Sequence, residues 1–310
     1  MKKTGIKEIA AEAGVSPATV SRVLNNSPRI SRDVTQRVLA IARRLEYLPH
    51  TPLTKVIALL ITGFHSYESS ILCAIQAVAA ERKFRLELIL PDAPDTWSER
   101  LYMGGISFVP MTNPPSSFPI VAINHAPDPL NGVYSVASDD VGAITEAVRR
   151  FREAGHSKIG YLLAQELDHY NNRQRTQAYR DACRANFLNP CCEVVKVTNA
   201  AVENALVRLM KKGITALIYL VPIRINTQEL FSKLKIRIPQ DLSLIVWEAL
   251  GMPPNYRPAY VYTIQDSMGL ARNAIELLER IAQKKEVPQQ ILVPYLWVDG
   301  HSVRKPRKQR

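Results

Sequence analysis

Residues 13–25 read Ala-Gly-Val-Ser-Pro-Ala-Thr-Val-Ser-Arg-Val-Leu-Asn, and they contain the clearest structural signals in the N-terminal part of the chain. Gly14 is the residue type that adopts the left-handed conformation at the end of a helix. Ser16 followed by Pro17 is a typical start of a new helix, because the serine caps it and the proline lacks an N–H where none is needed. The apolar residues that follow recur at helical spacing and predict a buried face: Val20, Val23 and Leu24. The stretch therefore predicts two helices joined by a tight turn.

Two further helical patterns flank this turn. The first helix carries its apolar residues at positions 6, 9, 10 and 13. Ser31 begins a third helix after the break at residues 25–28. The apolar face of this third helix is formed by Val34, Val38, Leu39, Ile41, Ala42 and Leu45. Two helices joined by a short glycine turn, with a third packed behind them, predict a small all-α helix-turn-helix head over residues 1–48.

The second helix presents small and polar residues on its outward face. In a helix-turn-helix, the first residues of the second helix meet base edges in the major groove of DNA. Arg22 can offer a bidentate fork to a guanine, whereas Pro17 and Ala18 can make only apolar contacts, for instance with a thymine methyl. The short donors suited to phosphate oxygens are Ser16, Thr19, Ser21, Asn25 and Ser31. The alternative is that Ser16 and Ser31 serve only as helix caps and that Thr19 serves only in packing.

The head resembles that of the lactose/galactose repressor family. The residues that carry the resemblance are Ala13-Gly14-Val15-Ser16 and Ala18-Thr19-Val20-Ser21-Arg22-Val23-Leu24-Asn25, within a match over residues 6–48. The resemblance implies a homodimer that binds an inverted repeat in double-stranded DNA, with positions 17, 18 and 22 selecting the bases. One departure is Gly5, where the family usually has a capping threonine, and Thr4 is the expected replacement.

Residues 49–55 link the head to the next part of the chain. Members of the family usually have a short hinge helix here, whose leucine inserts into the minor groove. Pro49 and Pro52 disfavour a helix, and the segment is shorter by roughly two helical turns of about 3.6 residues each. Leu53 is the candidate wedge, and we expect it to pack on the body instead. DNA bending by an inserted leucine is then weak or absent.

Beyond the link, apolar strand-like runs alternate with helical patterns. The predicted strands cover residues 56–61, 86–90, 106–109, 120–123, 158–163, 192–197, 216–220 and 242–247. The predicted helices cover residues 69–82, 141–154, 173–185, 202–212, 227–234 and 269–284. This alternation predicts doubly wound parallel sheets covered by helices on both faces, and its restart predicts two lobes with a cleft between them. We therefore expect an α/β, two-lobed, periplasmic-binding-protein-like body over residues 56–303.

The body resembles that of the same family, although more loosely. Residues 173–179, Arg-Gln-Arg-Thr-Gln-Ala-Tyr, resemble the segment that supplies a ligand-binding arginine, and the resemblance assigns this role to Arg175. Glu248 falls where the family commonly has an aspartate, and Tyr67 near an aromatic residue of the first lobe. The alternative for Arg175 is a salt bridge on the surface or one that joins the two lobes, and for Glu248 and Tyr67 a structural role.

The implied effector pocket lacks two polar anchors of the family. Thr62 stands in place of an aspartate, and Leu220-Val221 stands in place of Asn-Asp. A sugar that needs many hydrogen-bonded hydroxyls is therefore disfavoured. The expected effector is a sugar-like or small anionic molecule, with a more apolar ligand or no ligand left open.

The formal net charge of +12 is concentrated at the two ends of the chain. Residues 1–55 hold ten Lys/Arg against four Asp/Glu, and the tail at residues 304–310 holds five further basic residues. A basic terminal module fits a polyanionic partner such as DNA. The tail is expected to be a solvated end.

Several classes of function are disfavoured by what the sequence lacks. No run approaches the roughly 20 apolar residues of a membrane span, and no secretory signal follows the N-terminus, so a cytoplasmic location is expected. Cys73, Cys183, Cys191 and Cys192 lack metal-site spacing and are expected to be reduced thiols. No catalytic, metal or cofactor motif is found, and Asp139-Asp140 is expected to cap a helix.

Three functions compete at this point. The first is a DNA-binding transcriptional regulator, expected to be a repressor, that responds to a ligand. The second is a regulator of the same kind whose pocket no longer binds a ligand. The third is an enzyme or a solute-capture protein that uses the body alone. Because the third has neither a catalytic motif nor an export signal, we expect a regulator and not an enzyme.

Overall fold

The computed structural model describes residues 5–25, 27, 29–45, 47, 55–61, 66–89, 102–111, 118–166, 170–222, 225–247 and 260–306. The chain divides into two compact units. Unit 1 comprises Met1–Ala137 and Ser267–Ile291, and unit 2 comprises Ser138–Asp266 and Leu292–Arg310. The chain therefore passes between the units at three crossings, after residues 137, 266 and 291.

The helices and strands follow the predicted alternation. The helices are α1 Ile6–Ala13, α2 Pro17–Leu24, α3 Arg32–Arg44, α4 Ser66–Glu81, α5 Asp140–Glu153, α6 Tyr170–Ala185, α7 Asn199–Lys211, α8 Thr227–Lys233 and α9 Ser267–Ala282. The strands are β1 Val56–Leu60, β2 Arg85–Ile89, β3 Gly104–Ser107, β4 Ile120–Ile123, β5 Val133–Ser138, β6 Ile159–Ala164, β7 Cys191–Val195, β8 Ala216–Leu220, β9 Ser243–Val246, β10 Val261–Ile264, β11 Gln290–Val293 and β12 Leu296–Val298. The elements predicted from the sequence are confirmed, with their ends displaced by at most three residues.

The head is formed by α1, α2 and α3 around one apolar core. Gly14 ends α1 in the left-handed conformation, with φ of 65°, as its position in the sequence predicts. The core residues are Ile9, Ala10, Ala13, Val20, Val23, Leu24, Val38, Leu39 and Ala42. Each of the larger side chains contributes about 1.5–3 kcal/mol through its burial, so this small module has a core that fixes α2 against its neighbours.

Local hydrogen bonds set where the first two helices of the head begin. Gly5 is the N-cap of α1, and the carboxylate of Glu8 accepts a hydrogen bond from the Gly5 N–H at 3.1 Å. This bond supplies one half of a capping box without a threonine, and Thr4, the expected replacement, lies outside the described residues. The Ser16 hydroxyl accepts from the Thr19 N–H at 3.0 Å, so the predicted cap of α2 is confirmed.

Unit 1 contains a six-stranded sheet in the order β11-β5-β4-β3-β1-β2. Among the pairs for which the register is defined, β1 is parallel to both β2 and β3, and β4 is parallel to β3 and β5. Helices α4 and α9 pack against each other, and α9 contacts β3 and β4. The contact is close because a Cβ at Gly104 would overlap the side chain of Leu278 on α9.

Unit 2 contains a second six-stranded sheet in the order β12-β10-β9-β8-β6-β7. Its strands are parallel except for β12, which is antiparallel to β10. One face buries residues of α7 and α8, and the other buries residues of α5 and α6. The predicted doubly wound sheet with helices on both faces is therefore confirmed in this unit.

The C-terminal segment is hydrogen-bonded into unit 2 further along the chain than predicted. The Ser302 hydroxyl accepts from the Val261 N–H at 2.7 Å, and the Arg304 N–H donates to the Ser243 hydroxyl at 3.1 Å. The expectation of a solvated tail from residue 304 onward is therefore wrong for Arg304, because its backbone is hydrogen-bonded to Ser243 at the amino-terminal end of β9. Residues 307–310 lie outside the described residues.

His156, which lies shortly before β6, contacts this segment. Its imidazole is 1% exposed, with Nε2 at 2.8 Å from the Arg304 carbonyl oxygen and Nδ1 at 2.8 Å from the Thr215 hydroxyl. Because a carbonyl can only accept, Nε2 carries the proton, and the neutral Nδ1 then accepts from Thr215. Burial lowers the pKa of His156 below its ordinary value of 6.5, against a smaller opposing effect of the Arg304 carbonyl.

This lowered pKa predicts a pH dependence of stability. The unfolded chain takes up a proton on His156 near pH 6.5 and the folded chain only at lower pH, so the unfolded state binds more protons between these values. The contribution of neutral His156 to the free energy of unfolding is complete above pH 6.5 and is expected to decline as the pH falls below this value. Urea unfolding of the wild-type chain and of His156→Gln across this range tests it, with exposed His301→Gln as control. An equal decline in wild type and His156→Gln would contradict the assignment.

Candidate nucleic-acid interface and effector site

The N-terminal part of α2 forms an exposed surface. Ser16, Pro17, Ala18 and Arg22 are all exposed, while Thr19 and Ser21 are half-buried. The buried opposite face of α2 and the Ser16 cap hold this surface in place. It is the surface that a helix-turn-helix inserts into the major groove, and the sequence predicts it correctly as the outward face.

Arg22 is the cationic group of this surface. Its guanidinium makes no hydrogen bond or ion pair with any residue in the part of the chain that the structure describes. By contrast, the carboxylates of Glu8 and Glu12 are engaged within the head, by the Gly5 N–H and by Arg44 respectively. The fork of Arg22 is therefore free to meet a planar acceptor pair, such as O6 and N7 of a guanine.

Some of the predicted phosphate donors are already used within the head. The Ser16 and Thr19 hydroxyls lie 2.9 Å apart, and Ser16 also caps α2. The Asn25 side-chain amide donates to the Ser21 carbonyl oxygen at 2.8 Å. Ser31 is exposed and directly precedes α3, with its carbonyl oxygen accepting from the Thr35 N–H. Their contacts with phosphate remain predictions.

The three predicted effector residues are described unequally. Tyr67 lies in the first turn of α4, but its side chain is outside the described residues, as is Glu248. Arg175 lies in α6 and is buried, with 8% of its surface exposed. Of the three side chains, the structure therefore describes the surroundings of Arg175 alone.

Arg175 is held by a buried network within unit 2. Its Nε donates to Oδ1 of Asp140 at 2.7 Å, and its Nη2 donates to the Tyr295 hydroxyl at 2.9 Å. The Tyr295 hydroxyl in turn donates to Oδ1 of Asp140 at 2.8 Å. The guanidinium carbon lies 5.6 Å from the centre of the Trp247 ring, within cation–π range. The alternative predicted for Arg175, a salt bridge on the surface or between the lobes, is wrong in its location, because both partners are buried within unit 2.

The sequence does not predict the partners of Arg175. Asp139 and Asp140 are both expected to serve as a helix cap, but only Asp139 caps α5, by accepting from the Gly142 N–H at 2.8 Å. The adjacent carboxylate of Asp140 is 5% exposed and pairs with Arg175. One acidic residue is enough to cap a helix. The second aspartate at the start of α5 is therefore the sequence signal that could have indicated another role for Asp140.

Trp247 adds a donor to the same region. Its ring lies 5.0 Å from that of Tyr295, and it is 4% exposed. The indole N–H has no hydrogen-bond acceptor among the residues that the structure describes. A buried donor of this kind costs free energy until it is satisfied, so it favours an acceptor at this position.

A separate cavity of about 260 Å³ lies in unit 2 beside the C-terminal segment. Its lining includes His156, Thr215, Asp241, Ser243 and Arg304. These residues lie at the amino-terminal ends of the strands, whereas open α/β sheets bind ligands at the carboxyl ends. The cavity is therefore not the predicted effector site.

The thiols are poor candidates for nucleophiles. All four cysteines are free, and Cys183 is buried. Burial raises the pKa of Cys183, and it raises that of Cys192 to about 11, so both are protonated at neutral pH. Within the described ranges, no three His, Cys, Asp or Glu side chains gather closely enough to hold a metal ion. In those same ranges, no helix has the length and apolar character to cross a membrane.

A helix-turn-helix head with an exposed arginine, followed by a body with two parallel-dominated α/β sheets, defines a class of DNA-binding transcriptional regulators. The family model of bacterial regulatory proteins of the lacI family matches residues 5–50, and that of the periplasmic binding protein-like domain matches residues 148–303. The chain belongs to the lacI family. It is a transcriptional regulator and not an enzyme.

Relatives match along nearly the whole chain. The HTH-type transcriptional repressor PurR of Haemophilus influenzae is 27% identical, with 92% of this chain and 93% of that protein covered. The HTH-type transcriptional regulator GalR of Lacticaseibacillus casei is 27% identical, with 93% and 96% covered. The Lac repressor dimer bound to operator and the anti-inducer ONPF is similar in structure, with a TM-score of 0.67, 19% identity and coverage of 98% and 100%. This structural likeness supports the fold.

Proposed function

We propose that the chain represses transcription as a homodimer on a palindromic operator, with α2 of each head in a major groove. The observation that carries the proposal is the exposed fork of Arg22 on the outward face of α2, unpaired among the described residues. A bidentate contact of arginine with guanine is the commonest specific contact in the major groove. Since its target is DNA, the protein acts in the cytoplasm.

The other residues of the interface have distinct tasks. Pro17 and Ala18 are exposed and apolar, and they select bases by contact with thymine methyl groups. The short polar residues hold the head on the phosphates: Ser16, Thr19, Ser21, Asn25 and Ser31. The domain division that goes with this function is a head at residues 1–48, a link at 49–55, a body at 56–303 and a basic tail at 304–310.

Selection of bound sequences from random double-stranded DNA tests the proposal. We expect enrichment of an inverted repeat, because a two-fold dimer presents two equivalent heads to the duplex. Light scattering on the free protein at micromolar concentration should give the mass of a dimer. Failure to enrich any sequence, or enrichment of a single half-site by a monomer, would contradict the proposal.

The body supports control by a small molecule. The relatives PurR, GalR and TreR are named as regulators, and the Lac repressor structure contains the anti-inducer ONPF. By analogy, the body of this chain binds a sugar-like or small anionic effector, with Tyr67 and Glu248 as contacts predicted from the sequence. Arg175 belongs to the same predicted set, although its charge is already paired with Asp140.

This pairing favours a second candidate function, a regulator whose body no longer responds to a ligand. Thermal unfolding with a panel of sugars and small anions separates the two candidates. A ligand at 100 times its Kd stabilises the folded state by about 2.7 kcal/mol, which is easily measured. Stabilisation by one member of the panel supports effector control, and no stabilisation by any member supports the second candidate.

A further inference from the structure

The partners of Arg175 share a property beyond their burial. Asp140 lies three residues after the first crossing of the chain, Gln265 lies two residues before the second, and Tyr295 lies four residues after the third. All three belong to unit 2, as does Arg175 itself. One guanidinium therefore sits where all three crossing segments enter or leave the unit.

The hydrogen bonds link these segments to one another. Tyr295 accepts from Arg175 at 2.9 Å and from the Gln265 side-chain amide at 3.3 Å, and it donates to Asp140 at 2.8 Å. One donated and two accepted bonds are the full capacity of a hydroxyl group. The hydroxyl of Tyr295 is therefore the point at which all three segments meet.

The backbone adds a link between the first and third segments. The Asp139 N–H donates to the Val293 carbonyl oxygen at 2.8 Å. In the sheet, β10 before the second crossing pairs with β12 after the third, with Ile264 opposite Leu296. Backbone hydrogen bonds therefore join the same three segments that the side-chain network joins.

The four side chains are 3–8% exposed, which makes the network sensitive to the loss of any member. Arg175 and Asp140 offset each other's charge, and removal of either leaves the other as a buried charge without a counter-ion. The arginine is therefore placed to hold the segments at the crossings together.

We propose that Arg175 is a positioning residue that, with Asp140, Gln265 and Tyr295, clasps the three crossing segments of unit 2 together. The chain passes between the units only at these crossings. The clasp therefore determines how strongly the crossing segments are held to one another within unit 2.

Hydrogen–deuterium exchange on the full-length protein, without DNA or ligand, tests the clasp. Tyr295→Phe removes one hydroxyl and keeps the Arg175–Asp140 pair, so the fold is retained. We expect about threefold to tenfold faster exchange in peptides that cover residues 137–141, 262–266 and 292–298 together. Exchange in β6 of the same unit should not change. Tyr262→Phe is the matched control, since Tyr262 is buried in the core on the other face of the sheet.

Arg175→Lys gives a second variant with the same charge. An ammonium lacks the planar fork that reaches Asp140 and Tyr295 together, so exchange should rise at the same three segments. A rise at one segment alone, a uniform rise over the whole of unit 2, or the same pattern in Tyr262→Phe would overturn the proposal. Because DNA is absent from the measurement, failure of the operator selection would refute the proposed function and leave this result intact.

Discussion

Replacement of Arg175 by methionine is expected to lower the free energy of unfolding by about 3–5 kcal/mol. Methionine fills a similar volume but leaves the Asp140 carboxylate, 5% exposed, without its counter-ion. Removal of one partner of a buried ion pair costs far more than the pair itself contributes, because the stranded charge has lost its hydration. Urea unfolding followed by tryptophan fluorescence, to which Trp247 and Trp297 of unit 2 contribute together with Trp97, measures the loss.

A control and a double variant sharpen this result. Arg180→Met alters an exposed arginine of the same helix and should change stability by less than about 0.5 kcal/mol. In the double variant Asp140→Asn with Arg175→Met, no charge is stranded, so the combined loss should be well below the sum of the two single losses. A loss below about 1 kcal/mol for Arg175→Met, or additive losses in the cycle, would show that the pair is not essential.

The head is the part of the fold that the sequence predicts best. Gly14 and Ser16 act through chemistry confined to a few neighbouring residues, a left-handed turn and a helix cap, and both are found as expected. The outward position of Arg22 follows from the burial of its neighbours Val20, Val23 and Leu24 at helical spacing. Local rules suffice where each contact joins residues close in sequence.

The strands near the crossings are not predicted. β5, β10, β11 and β12 have three to six residues each, and a short strand exists only because a partner strand accepts and donates its hydrogen bonds. β12, for example, pairs with β10, a strand more than 30 residues away in the chain. The sequence between them carries no pattern that specifies the pairing.

The network around Arg175 is missed for the same reason. Its partners Asp140 and Tyr295 are separated from it by 35 and 120 residues, and no pattern in the sequence links either of them to Arg175. The family resemblance identifies Arg175 as a residue of interest but assigns it to a ligand. The distances to Asp140 and Tyr295 show that two of its donors are used inside the protein, which the resemblance does not indicate.

The second large effect concerns the DNA interface. Arg22→Ala is expected to weaken binding to the selected operator by about 1–3 kcal/mol and to relax the preference at one base position in each half-site. The side chain is exposed and unpaired within the described residues, so its removal leaves the fold of the head unchanged. Fluorescence anisotropy with the operator and with single-base variants measures both quantities at one salt concentration.

Arg22→Lys separates charge from geometry. Lysine keeps the charge and therefore the slope of affinity against salt, but it lacks the fork that pairs with O6 and N7 of guanine. Specificity at the affected base should fall in Arg22→Lys nearly as far as in Arg22→Ala. If Arg22→Ala weakens binding to every sequence equally and Arg22→Lys restores it, Arg22 contacts phosphate and the base assignment is wrong.

Leu53→Ala completes the comparison, because it tests the wedge that the short link at residues 49–55 disfavours. Leu53 lies outside the described residues, so its role rests on the two prolines beside it in the sequence. We expect operator affinity and DNA bending to be nearly unchanged in Leu53→Ala, in contrast to Arg22→Ala. A loss above about 2 kcal/mol, with bending abolished and the melting temperature unchanged, would show that a minor-groove wedge operates despite the short link. Binding through two heads alone predicts instead that affinity falls steeply with salt, since phosphate contacts then supply most of it.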